Sequence, residues 1–87
     1  MAMKVKVQEV DAEGLIGLLG KRITLFCVNY IYTGELVGVN DTCVKLTDAA
    51  IVYETGSLKG KKWSVAEELP GPWYVMTQSV ESFGLLK

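Results

Sequence analysis

YTGELVGVNDTCVKLTDA, residues Tyr32 to Ala49, reads as two strands joined by a short polar turn at Asn40 to Thr42. Leu36, Val37, Val39, Cys43, Val44 and Leu46 supply the apolar and β-branched content of the strands. The Asn-Asp pair supplies a turn that tolerates left-handed backbone. A hairpin follows. Gly34 and Gly38 stand inside its first strand, where glycine weakens pairing unless the strand bends sharply or another backbone passes close. The expected product is a strongly curved strand of the kind that closes a small barrel.

Working outward, Arg22 to Val28 alternates, with Ile23, Leu25 and Cys27 on one face and Thr24, Phe26 and Val28 on the other. Asn29 accepts the positive φ of a following turn. Tyr30, Tyr32 and Leu36 share one face of the next strand, and the outward set Ile31, Val37 and Val39 is less polar than a solvated strand should be. That surface is expected to be covered. The third strand runs from Cys43 to about Tyr53, with Val44 and Leu46 opposite Lys45 and Thr47. Trp73 to Met76 and Val80 to Leu86 read as two further strands, with Thr77, Gln78 and Ser79 turning between them.

The remaining segments are less regular. Met3 to Val10 alternates polar and apolar residues as a strand or ordered arm would. Asp11 at an N-cap, then Leu15, Ile16, Leu18 and Leu19 before Gly20, predict a short helix across an open barrel end. Gly14 and Gly17 weaken it by about 1 kcal/mol each relative to alanine, so it forms only when packed. Residues 56 to 72, rich in Gly, Pro, Ser and Lys, make a long variable loop. Within it Ser64 and Glu67 fit a capping box, which predicts a helical turn around Val65 to Leu69, ended by Pro70.

The sequence has 87 residues, enough for one domain spanning 1 to 87: arm and helix about 3 to 20, barrel about 21 to 86. A chain this short buries only roughly 60 to 65% of the surface its unfolded form exposes. Yet 49% of its residues are hydrophobic, a surplus that self-association would hide. The formal charge of −1 gives no overall basic field to attract nucleic acid, so any such contact is local. The N-terminal Lys and Val alternation lacks the apolar core of a signal peptide, which points to a reduced, cytoplasmic setting. Cys27 and Cys43 lie on adjacent predicted strands, where a disulfide is conceivable and two buried free thiols are preferred. No stretch of ~20 apolar residues marks a membrane span.

Catalytic chemistry finds little material. The chain has no histidine and only two cysteines, and no Gly-rich phosphate loop precedes a helix. Glu67 and Glu68 are adjacent, and Asp41 and Asp48 flank a strand with no base or nucleophile beside them. The expectation is a non-enzyme with no cofactor and no metal. Lys59, Lys61 and Lys62 beside Trp63 could neutralise phosphates and stack a base. Against that stands the plainer reading, a soluble loop whose tryptophan anchors it. Tyr30, Tyr32, Tyr53 and Tyr74 read as core or interface aromatics.

Gly34, Leu36, Gly38, Asn40 and Leu46, followed by Asp48 and Ala49, resemble the first signature motif of the Sm and Sm-like RNA-associated proteins. LLGKRITLFCV, Leu18 to Val28, is similar to the end of that family's N-terminal helix and its first strand. The resemblance covers about half the chain. It implies a mostly-β fold: a short N-terminal helix, then a small, five-stranded, strongly bent antiparallel barrel, an order shared with SH3-like folds.

In that family the last two strands lie at opposite edges and pair between neighbours, which builds a closed ring. Carried over, this makes Trp73, Tyr74, Val75, Met76, Val80, Ser82, Phe83 and Leu85 the interface candidates of a cyclic homo-oligomer. The family binds single-stranded RNA on turns facing the pore, here Asn40, Asp41 and Thr42 with Gln78 and Ser79. This chain departs from the pattern there. Asn40 replaces an Asp, Thr42 stands at the stacking position, Val44 replaces an Asn, and Thr77 to Ser79 replaces an Arg-Gly pair. The resemblance thus implies a ring-forming RNA-binding or RNA-scaffold module. The competing expectations are a structural or protein-interaction ring without the uridine pocket, and a small-ligand carrier using an apolar barrel mouth.

Overall fold

In a computed structural model, which describes residues 13–87, six strands form one antiparallel sheet. They are β1 (Arg22–Cys27), β2 (Ile31–Val39), β3 (Cys43–Glu54), β4 (Val65–Glu68), β5 (Trp73–Met76) and β6 (Val80–Gly84). The order across the sheet is β4-β3-β2-β1-β6, and β5 pairs with β3. Residues 3 to 10, expected as a strand or arm, and the Asp11 cap lie outside the described residues.

The hairpin from Tyr32 to Ala49 is present, and its bends fall at two irregularities. Thr33 pairs with Ala50 and Glu35 with Thr47, so Asp48 and Ala49 together oppose Gly34 alone. Asp48 adopts φ 48, a left-handed conformation that Asp tolerates better than most residues. A Cβ on Gly34 would stand 3.1 Å from Ala49 Cα, Leu46 Cβ and Thr47 O, which accounts for the glycine there. Gly38 is under no such constraint. A Cβ at Gly38 would meet only Lys45 Cβ, at 3.5 Å, an ordinary contact.

The second irregularity lies between Leu36 and Gly38, where Val37 is the extra residue. One additional residue reverses the in-out alternation. Val39, expected to face outward, therefore packs against the core, while Val37 remains exposed. The core is Ile23, Leu25, Leu36, Val44, Leu46, Ala49 and Val75, with Leu15, Leu18 and Leu69 packed on it. Burying one such aliphatic side chain contributes about 1.5 to 3 kcal/mol. On the other side of the sheet Thr24 and Thr33 are also buried. The Thr33 hydroxyl lies 2.9 Å from the Ile23 carbonyl and 3.0 Å from the main-chain oxygen of Lys87.

Two local expectations are corrected. The helix before Gly20 shrinks, among the described residues, to a 3-10 turn at Ile16–Leu18. Gly14 at φ 68 and Gly20 at φ 86 leave the α-helical region on either side of it. Two hydrogen bonds hold the chain after this turn on β2, Gly20 N to Leu36 O at 2.7 Å and Leu36 N to Lys21 O at 2.9 Å. The helical turn expected around Val65 to Leu69 is strand β4, paired from Ala50↔Glu68 to Glu54↔Val65, so the sheet has six strands and not five. A ladder with a distant strand outweighs one capping pattern.

The kink at Asp48 divides β3. Its first half, Cys43 to Leu46, pairs with β5, and its second half, Ala50 to Glu54, pairs with β4. Among the described residues β5 and β6 share no ladder, although only the 3-10 turn Thr77–Ser79 separates them.

Candidate functional site

The two turns named from the sequence come together. Thr77 N donates to Thr42 O at 2.9 Å, and the Thr77 hydroxyl donates to Asp41 O at 3.0 Å. Within the first turn, Asn40 Oδ1 accepts from Thr42 N (2.8 Å), the Thr42 hydroxyl (3.0 Å) and Cys43 N (2.9 Å). That is an Asx turn, and it occupies the amide oxygen completely. The Ser79 carbonyl accepts from Val28 N at 2.9 Å. The Asn40 amide N–H groups, the Gln78 side chain and the Asp41 carboxylate remain for a ligand. Asp41 supplies the only formal charge among these five residues, Asn40 to Thr42 with Gln78 and Ser79, and it is negative. This cluster offers hydrogen bonds to a base edge and repels phosphate.

The lysine loop lies at the other end of β3, after Glu54, so the structure does not bring it to the paired turns. Gly56 at φ 67 and a Gly60 N to Ser57 O bond of 3.0 Å shape its tip. Lys87 organises it. The Lys87 ammonium donates to the carbonyls of Thr55 (3.1 Å), Ser57 (2.7 Å) and Lys62 (2.9 Å), and it lies 4.6 Å from the centre of the Trp63 ring. A cation on an indole face adds attraction of about 0.5 to 2 kcal/mol. Trp63 is half-buried and so anchors the loop, whereas Lys59, Lys61 and Lys62 are exposed.

Beside this loop a cleft of about 700 Å³ is bounded by Arg22, Asp48, Lys61, Lys62, Trp63 and Lys87 among others. Arg22 Nη1 donates to the Asp48 carbonyl at 3.1 Å. Neither Arg22 nor Lys87 stood out in the sequence. They are 65 positions apart by number, and no local pattern links a strand start to a residue so far along the chain.

The interface candidates divide by face. Trp73, Tyr74, Met76, Phe83 and Leu85 are exposed, Tyr74 at 58%. Ser82 is exposed and sits opposite Phe26 in the ladder between β1 and β6. Val75 instead belongs to the core at 4% exposure, and Val80 packs against it. Strand alternation sends Val75 inward between two outward neighbours. Lys45 lies 5.8 Å from the Tyr74 ring centre.

A smaller cleft of about 200 Å³ joins Cys27, Tyr30, Tyr32, Tyr74 and Met76. Tyr30 and Tyr32 meet edge to face at 6.4 Å, a packing contact and not a parallel stacking platform. Burial pushes the Cys27 thiol up, with the Glu81 carboxylate adding to it, and burial likewise raises Tyr32. Cys27 and Cys43 are free thiols. Among the described residues no three His, Cys, Asp or Glu side chains gather as a metal site would need, and no helix is long and apolar enough to cross a membrane. Neither a protein-family model nor a curated protein sequence matches the chain.

Proposed function

We propose that this chain is a non-catalytic, Sm-like module that curls into a bent barrel, joins copies of itself edge to edge in a closed ring, and carries RNA by contacts to its phosphates. Three strands, β4, β5 and β6, are one-sided among the described residues, and the observation that supports the ring is the aromatic content of two of them. β5 pairs only with β3 and β6 only with β1 among the described residues, and each carries exposed aromatic side chains. Unpaired edges of this kind favour strand addition by another chain. Because the two edges belong to different strands, their mutual pairing is heterologous and generates a ring when the rotation closes. The sharp bend at Gly34 and Asp48 supports the barrel, since it lets β3 pair with β5 and β4 in succession.

A second reading, a structural or protein-interaction ring without RNA recognition, is favoured by the paired turns. Asn40 Oδ1 and the Thr77 hydroxyl already serve the fold, and the cluster's charge opposes phosphate. The test is the native mass with and without a short oligouridylate, together with retention across salt. RNA carried by phosphates gives a log-log slope that is negative, and charge reversal of Lys59, Lys61 and Lys62 abolishes retention. A ring that never retains RNA at low salt leaves the second reading standing.

A further inference from the structure

We infer that the cleft between the lysine loop and the kinked β3 is a binding site for a nucleoside phosphate, either a free nucleotide or the phosphorylated end of an RNA. Its volume of about 700 Å³ lies within the roughly 300 to 1,000 Å³ of small-ligand sites. Four cations, Arg22, Lys61, Lys62 and Lys87, bound it against two carboxylates, Asp48 and Glu68. In a chain of net charge −1 that is a local reversal of sign, and a cleft focuses such a field.

The four cations divide the work. Lys87 gives its three N–H donors to the carbonyls of Thr55, Ser57 and Lys62, so it contacts no ligand by hydrogen bonding. Its charge and its hold on the loop backbone are what it contributes. Arg22 gives one N–H to the Asp48 carbonyl and keeps the others. That bond fixes the guanidinium at the cleft wall, where its planar fork matches two phosphate oxygens. Asp48 brings its carbonyl to Arg22 from a left-handed backbone, φ 48, a conformation costly enough in a strand to suggest a use. Lys61 and Lys62 are exposed point charges on the rim. Trp63, also in the lining, already carries the Lys87 ammonium over its ring at 4.6 Å, so it stiffens the cleft wall and its emission reports on what enters there.

The site rests on the RNA reading only for the source of the phosphate, and it is independent of ring assembly. The experiment titrates the full chain with AMP, UMP, and hexauridylate with and without a 5′-phosphate, following tryptophan emission and heat. Saturable binding is expected at low salt for the phosphorylated probes, with little preference between AMP and UMP. It weakens about tenfold when Lys61 and Lys62 are both alanine, and by a similar factor for Arg22→Gln. Asp48→Asn keeps a residue that tolerates left-handed backbone, removes the rim carboxylate, and tightens binding about threefold.

Binding of the 5′-phosphorylated hexamer without AMP or UMP assigns the phosphate to an RNA end, and binding of all three assigns it to nucleotides generally. No saturable signal from any phosphorylated probe overturns the site. So does unchanged affinity in the Lys61/Lys62 variant with its circular dichroism intact, or an equal loss on Gln78→Ala, which moves the contact to the paired turns. Native mass measured in parallel separates failure of the pocket from failure of the ring.

Discussion

The β2–β3 hairpin and the aromatic-bearing edge strands β5 and β6 are built from similar residues and use them in opposite ways. Leu36, Val44 and Leu46 on the hairpin are wholly buried, and their side chains hold the fold together. Tyr74, Met76 and Phe83 on the edges are 58%, 54% and 40% exposed. Large apolar side chains left in water on strands with a free edge add little to the lone chain, and in the proposed ring a neighbouring copy would cover them. Apolar content alone therefore does not separate a folding residue from an assembling one. Position in the strand order does.

The largest effect expected from this contrast is at the hairpin. Leu46→Ala removes a fully buried side chain at the centre of the core and costs about 2 to 5 kcal/mol, read from the denaturant midpoint. A cost below about 1 kcal/mol would mean that the core is not where the stability lies. The two glycines sharpen the point. Gly34→Ala presses a methyl against backbone at 3.1 Å and costs about 1 to 3 kcal/mol, whereas Gly38→Ala makes only an ordinary contact with Lys45 Cβ at 3.5 Å and stabilises by about 0.5 kcal/mol. Equal effects at both sites would break the account of the bend.

At the edges the order of consequences inverts. Tyr74→Asp with Phe83→Asp leaves the β circular dichroism in place, because neither side chain is buried, and lowers the native mass to that of one chain. Loss of the β signal would show these residues to be core. The smallest effect is alkaline. The Cys27 thiol is raised by burial and by Glu81, so the folded chain holds its proton longer than the unfolded one. Stability from this group is full below the unfolded thiol range and falls as pH rises through it toward the folded value. Cys27→Ala flattens that alkaline decline in denaturant midpoints, and an unchanged slope would remove the thiol as its source.

The same contrast explains what could be read in advance. The hairpin was legible because Tyr32 to Ala49 carries its strand content, its turn and its bend in one local stretch. β5 was legible for the same reason, WYVM between turn residues. β4 was not, because Val65 to Glu68 is made a strand by its distant partners Ala50 to Glu54, while Ser64 and Glu67 mimic a helix start. Simple alternation puts Val39 on the wrong face because the extra residue at Val37 exists only in the pairing with β3. Of the candidate sites, the paired turns and the lysine loop were each visible in sequence. Their separation, and the parts of Arg22 and Lys87, follow from how β3 runs between them and how Lys87 returns to Thr33.

The most direct test of the central claim is the native mass of the unmodified protein at micromolar concentration, by light scattering or native mass spectrometry. Edge-to-edge pairing of β5 with β6 predicts one discrete closed species, a whole multiple of 9.5 kDa, that does not grow as concentration rises. A single chain of 9.5 kDa at that concentration would contradict it, and so would an open-ended series of masses.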